Sequence, residues 1–285
     1  MSSNEPKRFS LSGYFRLFRA QNLIMILGTQ YAVAFFLIEK TSSFYDLGLL
    51  ATIISTLLIA AAGYGINDYY DIKIDLINKP ERVVVGTKLK RRPVLLTQIC
   101  LNGLGLVLGI LVSWKIGLIN AVSILLLWSY SNRLKRMPFI GNLTIGILTG
   151  LSLLIIGVYF GSYSQNLFIY SFFAAVVTLV REIIKDLEDL KGDKAHDCQT
   201  LPILFGVSKT KLIIYFIVSI FLAVVFYFLI TANSRLVWFY FLILIVPFTH
   251  FMILLYRSDT VKRFSHLSLY AKFIMILGIL SMPLL

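Results

Sequence analysis

The sequence predicts an all-α, polytopic membrane bundle of about nine transmembrane helices, read as two related four-helix halves plus one. Three observations lead there. The 285 residues are 58% hydrophobic and only 14% charged, where a soluble domain carries about a quarter charged residues. Mean hydropathy is +0.82. The apolar residues come in continuous blocks, most of them near the ~20 residues a helix needs to cross ~30 Å of hydrocarbon. Barrel strands would instead alternate over about 10 residues.

Taken in order, the predicted spans lie near 21–38, 47–66, 94–113, 116–131, 139–160, 166–185, 212–231, 236–256 and 268–285. The fourth is short, and the ninth carries Lys272. Before them, residues 1–20 form a basic cytoplasmic segment in which Phe9, Leu11, Tyr14, Phe15, Leu17 and Phe18 are interleaved, the pattern of an interfacial amphipathic helix. Residues 1–285 read as one integral membrane domain with no soluble domain attached.

The basic residues orient the bundle. Twenty-three of the 27 Lys and Arg fall at the N-terminus and in the turns after spans 2, 4, 6 and 8. The opposite turns hold only Lys40, Lys115 and Arg235. This asymmetry places the N-terminus and the even-numbered turns in the cytoplasm, in a cell (inner) membrane. The net charge of +13 is mostly this excess, which favours anionic lipid head groups and requires no nucleic acid. No protein partner is inferred.

The two longest polar segments, 67–93 and 186–211, each follow an even-numbered span and each open on acids. Asn67, Asp71 and Asp75 are spaced i, i+4, i+8, one face of a helix, and Asp68 borders it. Asp186, Asp189 and Asp193 are spaced i, i+3, i+7, with Glu182 extending the stripe backward. One Asp at a helix end is ordinarily a cap or a solvated charge. Seven acid or amide positions in two matched stripes on one membrane face are different, because stacked carboxylates repel without a cation. All-oxygen ligation with no neighbouring His or Cys suits a hard ion, Mg²⁺, which takes one or two carboxylates plus substrate phosphate oxygens. His196, His250 and His266 have no ligand spacing. The predicted metal ligands are thus Asn67, Asp68, Asp71, Asp75, Asp186, Asp189 and Asp193. Two such faces would hold Mg²⁺ around a diphosphate, with an apolar chamber for an isoprenoid tail.

The residues at this point resemble the UbiA superfamily of intramembrane prenyltransferases. Its N-D-x-x-D-x-x-x-D pattern is met by Asn67, Asp68, Asp71 and Asp75, and its D-x-x-D-x-x-x-D pattern by Asp186, Asp189 and Asp193. The family's Y-x-x-x-K motif is met only loosely, since Tyr130 and Lys135 are one residue further apart. The stretches Arg181–Asp189, Gly192-Asp193 and Thr200–Ile203 resemble the geranylgeranylglyceryl-phosphate geranylgeranyltransferase branch. The resemblance implies transfer of a polyprenyl group, geranylgeranyl in that branch, from its diphosphate to a lipophilic acceptor, geranylgeranylglyceryl phosphate, in ether phospholipid synthesis. It implies catalytic roles for Asp68, Asp71, Asp189, Asp193, Tyr130 and Lys135. It implies substrate contacts from Asn67, Lys79, Arg82, Lys135 and Arg181. Tyr64, Tyr69, Tyr70 and Phe160 are loose candidates for walls around an allylic cation.

Two alternatives stay open. An aromatic prenyltransferase of quinone biosynthesis would use the same metal site with a ring carbon as nucleophile. A cation-coupled transporter would also explain acids near a membrane, although transporter charges sit mid-span at broken helices.

Overall fold

The computed structural model describes residues 11–38, 45–232 and 235–284. It is built of helices: α1 (Leu11–Leu17), α2 (Ala20–Ala32), α3 (Leu47–Asn78), α4 (Arg91–Val112), α5 (Trp114–Asn132), α6 (Ile140–Phe160), α7 (Gln165–Ala195), α8 (Leu201–Ala232), α9 (Arg235–Arg257) and α10 (Val261–Ser281). A π-helical turn, Val33–Leu37, continues α2. Among the described residues, β structure is limited to one isolated bridge, Val85 to Leu89.

Seven of these helices are long and apolar enough to cross a membrane, among them Ala20–Leu37, Leu47–Asn78 and Gln165–Ala195. The 19-residue α5 and the 23-residue α9 stand where the fourth and eighth spans are expected. The predicted spans therefore each have a helical counterpart. Of the N-terminal segment, Phe9 lies outside the described residues; Leu17 of α1 is buried, while Leu11 and Phe15 are exposed. Leu17 packs with Ile72, Val83, Val84, Val85 and Leu89, so α1 braces the inner end of α3 and the loop after it.

Helices α3 and α7 outrun the bilayer. α3 has 32 residues and α7 has 31, about 48 and 46 Å at 1.5 Å per residue, against ~30 Å of hydrocarbon. Their C-terminal ends, 67–78 and 186–195, are continuous helix where the hydropathy reading places polar loops. The reason is periodicity: hydropathy ends a span where charge begins, but the i, i+4 spacing continues into the polar residues. The rest of the 186–211 segment is also largely helical. Helix α8 begins at Leu201, and Gly206 (φ 79°, ψ 166°) breaks it before the membrane portion.

α7 is the hub. It packs against α3, α6, α8 and α10. Gly146 and Gly150 on α6 set the α6–α7 approach, since a Cβ at these positions would lie 2.8 Å from the Ala175 carbonyl oxygen and 3.0 Å from that of Ser171. Small residues at this spacing let membrane helices close without a hydrophobic driving force between them.

Candidate active site

The acids lie at the wrong ends of their helices for local stability. Asp68, Asp71 and Asp75 occupy the last three turns of α3, and Asp186, Asp189 and Asp193 the last three of α7. A helix C-terminus carries partial negative charge, which opposes carboxylates and favours cations. Something other than helix propensity therefore keeps them there.

The structure brings the two stripes together. Asn78, the last residue of α3, donates from Nδ2 to the Asp189 carbonyl oxygen (3.0 Å) and accepts from the Gly192 amide at Oδ1 (2.8 Å). Lys79, next in the chain, bridges Glu188 (2.9 Å) and Asp189 (2.8 Å) of α7. Burial disfavours the charge on Lys79, but Asp189 and then Glu188 outweigh it and hold the ammonium above its ordinary pKa. The clasp needs a glycine: a Cβ on Gly192 would sit 2.4 Å from Asn78 Nδ2.

Each remaining acid has a partner from elsewhere or none. Arg19, at the α1–α2 corner in a left-handed conformation (φ 51°), donates to Asp68 at 2.9 Å and lies 4.9 Å from the centre of the Tyr64 ring. Lys135 pairs with the buried Asp71. Asn142 of α6 donates to Asp186 at 2.8 Å. Asp75 and Asp193 make no side-chain hydrogen bond or ion pair among the described residues, yet lie within electrostatic reach of each other and of Asp189.

Lys135 reaches the site despite its long spacing from Tyr130. Helix α5 ends at Asn132, Arg133 leaves helical geometry (φ −136°), and a 3₁₀ turn over Leu134–Arg136 takes up the extra residue. Tyr130, Tyr64, Asn67 and Arg181 line a cavity of about 260 Å³ below the acids. Arg181 pairs with Glu182 at 2.8 Å. Arg82 stays outside: it is exposed beside Glu81, 3.7 Å away. Tyr69 packs against the cluster around α1. Phe160 lies at the opposite end of the bundle, edge-on to Tyr159.

Arg19, Asn78 and Asn142 are contributors that sequence reasoning missed. Each is separated from its partner by at least 44 positions, and no local spacing links them. Lys272 was visible only as a charge inside an apolar span; it lines the same cavity.

The donors suit a hard divalent ion. They are carboxylate and amide oxygens, and Asn67, having given its amide N–H to Asp71 (2.8 Å), leaves its Oδ1 buried without a hydrogen-bond partner. Among the described residues, no three His, Cys, Asp or Glu side chains are already gathered as a metal site. Lysine and arginine partners instead carry the neutralising charge, as stacked acids require.

The UbiA prenyltransferase family model matches residues 28–276. A digeranylgeranylglyceryl phosphate synthase of Saccharolobus solfataricus is 33% identical over 278 residues, covering 95% of this chain and 96% of its own. A solved structure described as digeranylgeranylglyceryl phosphate synthase aligns with a TM-score of 0.71 at 28% identity, over 96% of this chain and 97% of that one. A UbiA homologue from Archaeoglobus fulgidus bound to GPP and Mg²⁺ shares the fold, with a TM-score of 0.69 at 16% identity, over 95% of this chain and 99% of that one. With its apolar helices and a match spanning most of its length, this chain is an integral, multi-pass membrane protein that belongs to the UbiA prenyltransferase family.

Proposed function

We propose that the whole chain acts as one Mg²⁺-dependent prenyltransferase domain, moving a geranylgeranyl group from its diphosphate to geranylgeranylglyceryl phosphate in ether phospholipid synthesis. The observation that carries this reading is the clasp of α3 and α7, which sets two acid stripes face to face above an apolar cavity. The acceptor follows the relatives named digeranylgeranylglyceryl phosphate synthase. The site faces the cytoplasm of the cell (inner) membrane, on the side where the basic turns gather.

Asn67, Asp68, Asp71, Asp75, Asp186, Asp189 and Asp193 are the residues that would hold Mg²⁺, which neutralises the diphosphate and makes it a better leaving group. Lys79 and Lys135, freed from the acids they now neutralise, are placed to turn toward phosphate oxygens. The donor's C1–O bond breaks, and its electron pair leaves with diphosphate. The acceptor hydroxyl oxygen forms the new bond to C1, and its proton passes to the departing diphosphate. Apolar walls with Tyr64 and Tyr130 exclude water, and their ring faces stabilise the allylic cation.

The test is product analysis. Membranes containing the protein, given geranylgeranyl diphosphate and Mg²⁺, form the diether phosphate from geranylgeranylglyceryl phosphate and form none in EDTA. Prenylation of a quinone precursor in its place, or turnover indifferent to chelation, contradicts the reading.

A further inference from the structure

Of the seven residues that would hold the metal, only Asn67 lines the cavity. Deeper in, a second charged group appears that the metal site does not use. Lys272 of α10 lies well inside a membrane-spanning helix and points into the cavity. Among the described residues its hydrogen-bond partner is neutral Asn22 Oδ1 at 3.0 Å, and it has no ion pair. An ionisable side chain at this depth is costly in a bilayer, so it marks a site by default.

Its surroundings are cationic. Arg181, Arg19 and Lys185 lie within electrostatic reach of Lys272. Glu182 takes up Arg181 and Lys185, both at 2.8 Å, and Asp68 takes up Arg19. That leaves Lys272 as the one of the four without an ion pair among the described residues. Two polar atoms of α7 at the same level are buried without a partner: Arg181 Nε and Thr178 Oγ1. Both residues line the cavity, and they stand three apart on α7, on one face. A cavity with an ammonium that lacks an ion pair and with unsatisfied donors is built for an anion.

We propose that Lys272 and Arg181, with the Thr178 hydroxyl, form the subsite for the acceptor's phosphomonoester, separate from the acids that hold the donor's diphosphate. This rests on the functional reading above. Arg181 precedes Asp186 by five residues, about 7.5 Å along the helix axis, so a three-carbon glycerol joined to a phosphate at Arg181 extends toward the donor's reacting end. Two anions of the two substrates are thereby kept apart, each with its own counter-charge. The subsite also explains selection of a phosphorylated lipid over a neutral ring: a neutral acceptor would leave this buried charge uncompensated.

The test is equilibrium binding to the detergent-solubilised full chain in EDTA, without donor, comparing geranylgeranylglyceryl phosphate with geranylgeranylglycerol. The wild type binds the phosphate form at least about tenfold more tightly. Lys272→Met loses that preference, binds the alcohol as before and leaves Mg²⁺-dependent binding of geranylgeranyl diphosphate within twofold; Lys272→Arg keeps the preference. Unliganded Tm reports folding, and Lys272→Gln carries the comparison if Lys272→Met is unstable. A preference that survives in the folded variant overturns the subsite, as does a loss confined to donor binding. Wild-type turnover with the phosphate acceptor, together with either result, sinks the subsite alone. Absence of both turnover and phosphate preference in the wild type sinks the functional reading beneath it.

Discussion

The two ends of α3 use the same residue type in opposite ways. At the outer end, Asp46 caps the helix, accepting from the Gly48 (2.9 Å) and Leu49 (3.1 Å) amides and from the Tyr159 hydroxyl (2.6 Å). Burial would raise its pKa, but the Tyr159 hydroxyl and the two amides prevail and hold the carboxyl below its usual range. The helix dipole favours an acid there. At the inner end the dipole opposes Asp68, Asp71 and Asp75, and their partners come from α1–α2, the turn after α5, or nowhere among the described residues. An acid that helps its own helix is structural. Acids that strain theirs, and are held by distant cations, are being kept for another purpose.

The sharpest way to break this contrast is to remove acids at the inner end. Asp71→Ala and Asp189→Ala should each lower turnover by about 10²–10³-fold or more, with unchanged membrane insertion and a Tm close to the wild type. Full activity in both would place the chemistry elsewhere. Gly192→Ala strikes the clasp without touching an acid. Its methyl meets Asn78 head-on, so the two tips separate and turnover should fall roughly 10–100-fold, the scale of a 1 Å misplacement.

At the outer end the expected signs reverse. Asp46→Ala should cost about 1 kcal/mol of stability, the worth of an N-cap, visible as a lower Tm, while kcat stays within about twofold. The smallest effect is expected from Arg82→Ala. Its guanidinium is exposed beside Glu81, so KM for the diphosphate donor should move by less than about twofold. A large rise would mean that Arg82 swings inward on binding.

Much of this contrast was legible in the sequence, for identifiable reasons. Bilayer thickness fixes span length, so helix order follows from counting apolar blocks. The i, i+4, i+8 run of Asn67, Asp71 and Asp75 gives their shared face. What escaped were features that exist only in three dimensions. Arg19 reads as one more cytoplasmic charge until the α1–α2 corner turns it onto Asp68, 49 residues away. Asn142 reads as a polar residue at a span start until α6 lies against α7. Arg82, a candidate by its position after the first stripe, is carried outward by the short 3₁₀ turn at Pro80–Arg82.

Central to the account is that neither acid stripe suffices alone. Equilibrium binding of geranylgeranyl diphosphate, measured in Mg²⁺ and in EDTA for the wild type, Asp71→Ala and Asp189→Ala, tests this directly. Tight binding that needs Mg²⁺ in the wild type and is lost in both variants is the predicted result. Magnesium-dependent affinity retained at the wild-type level in either variant would contradict it.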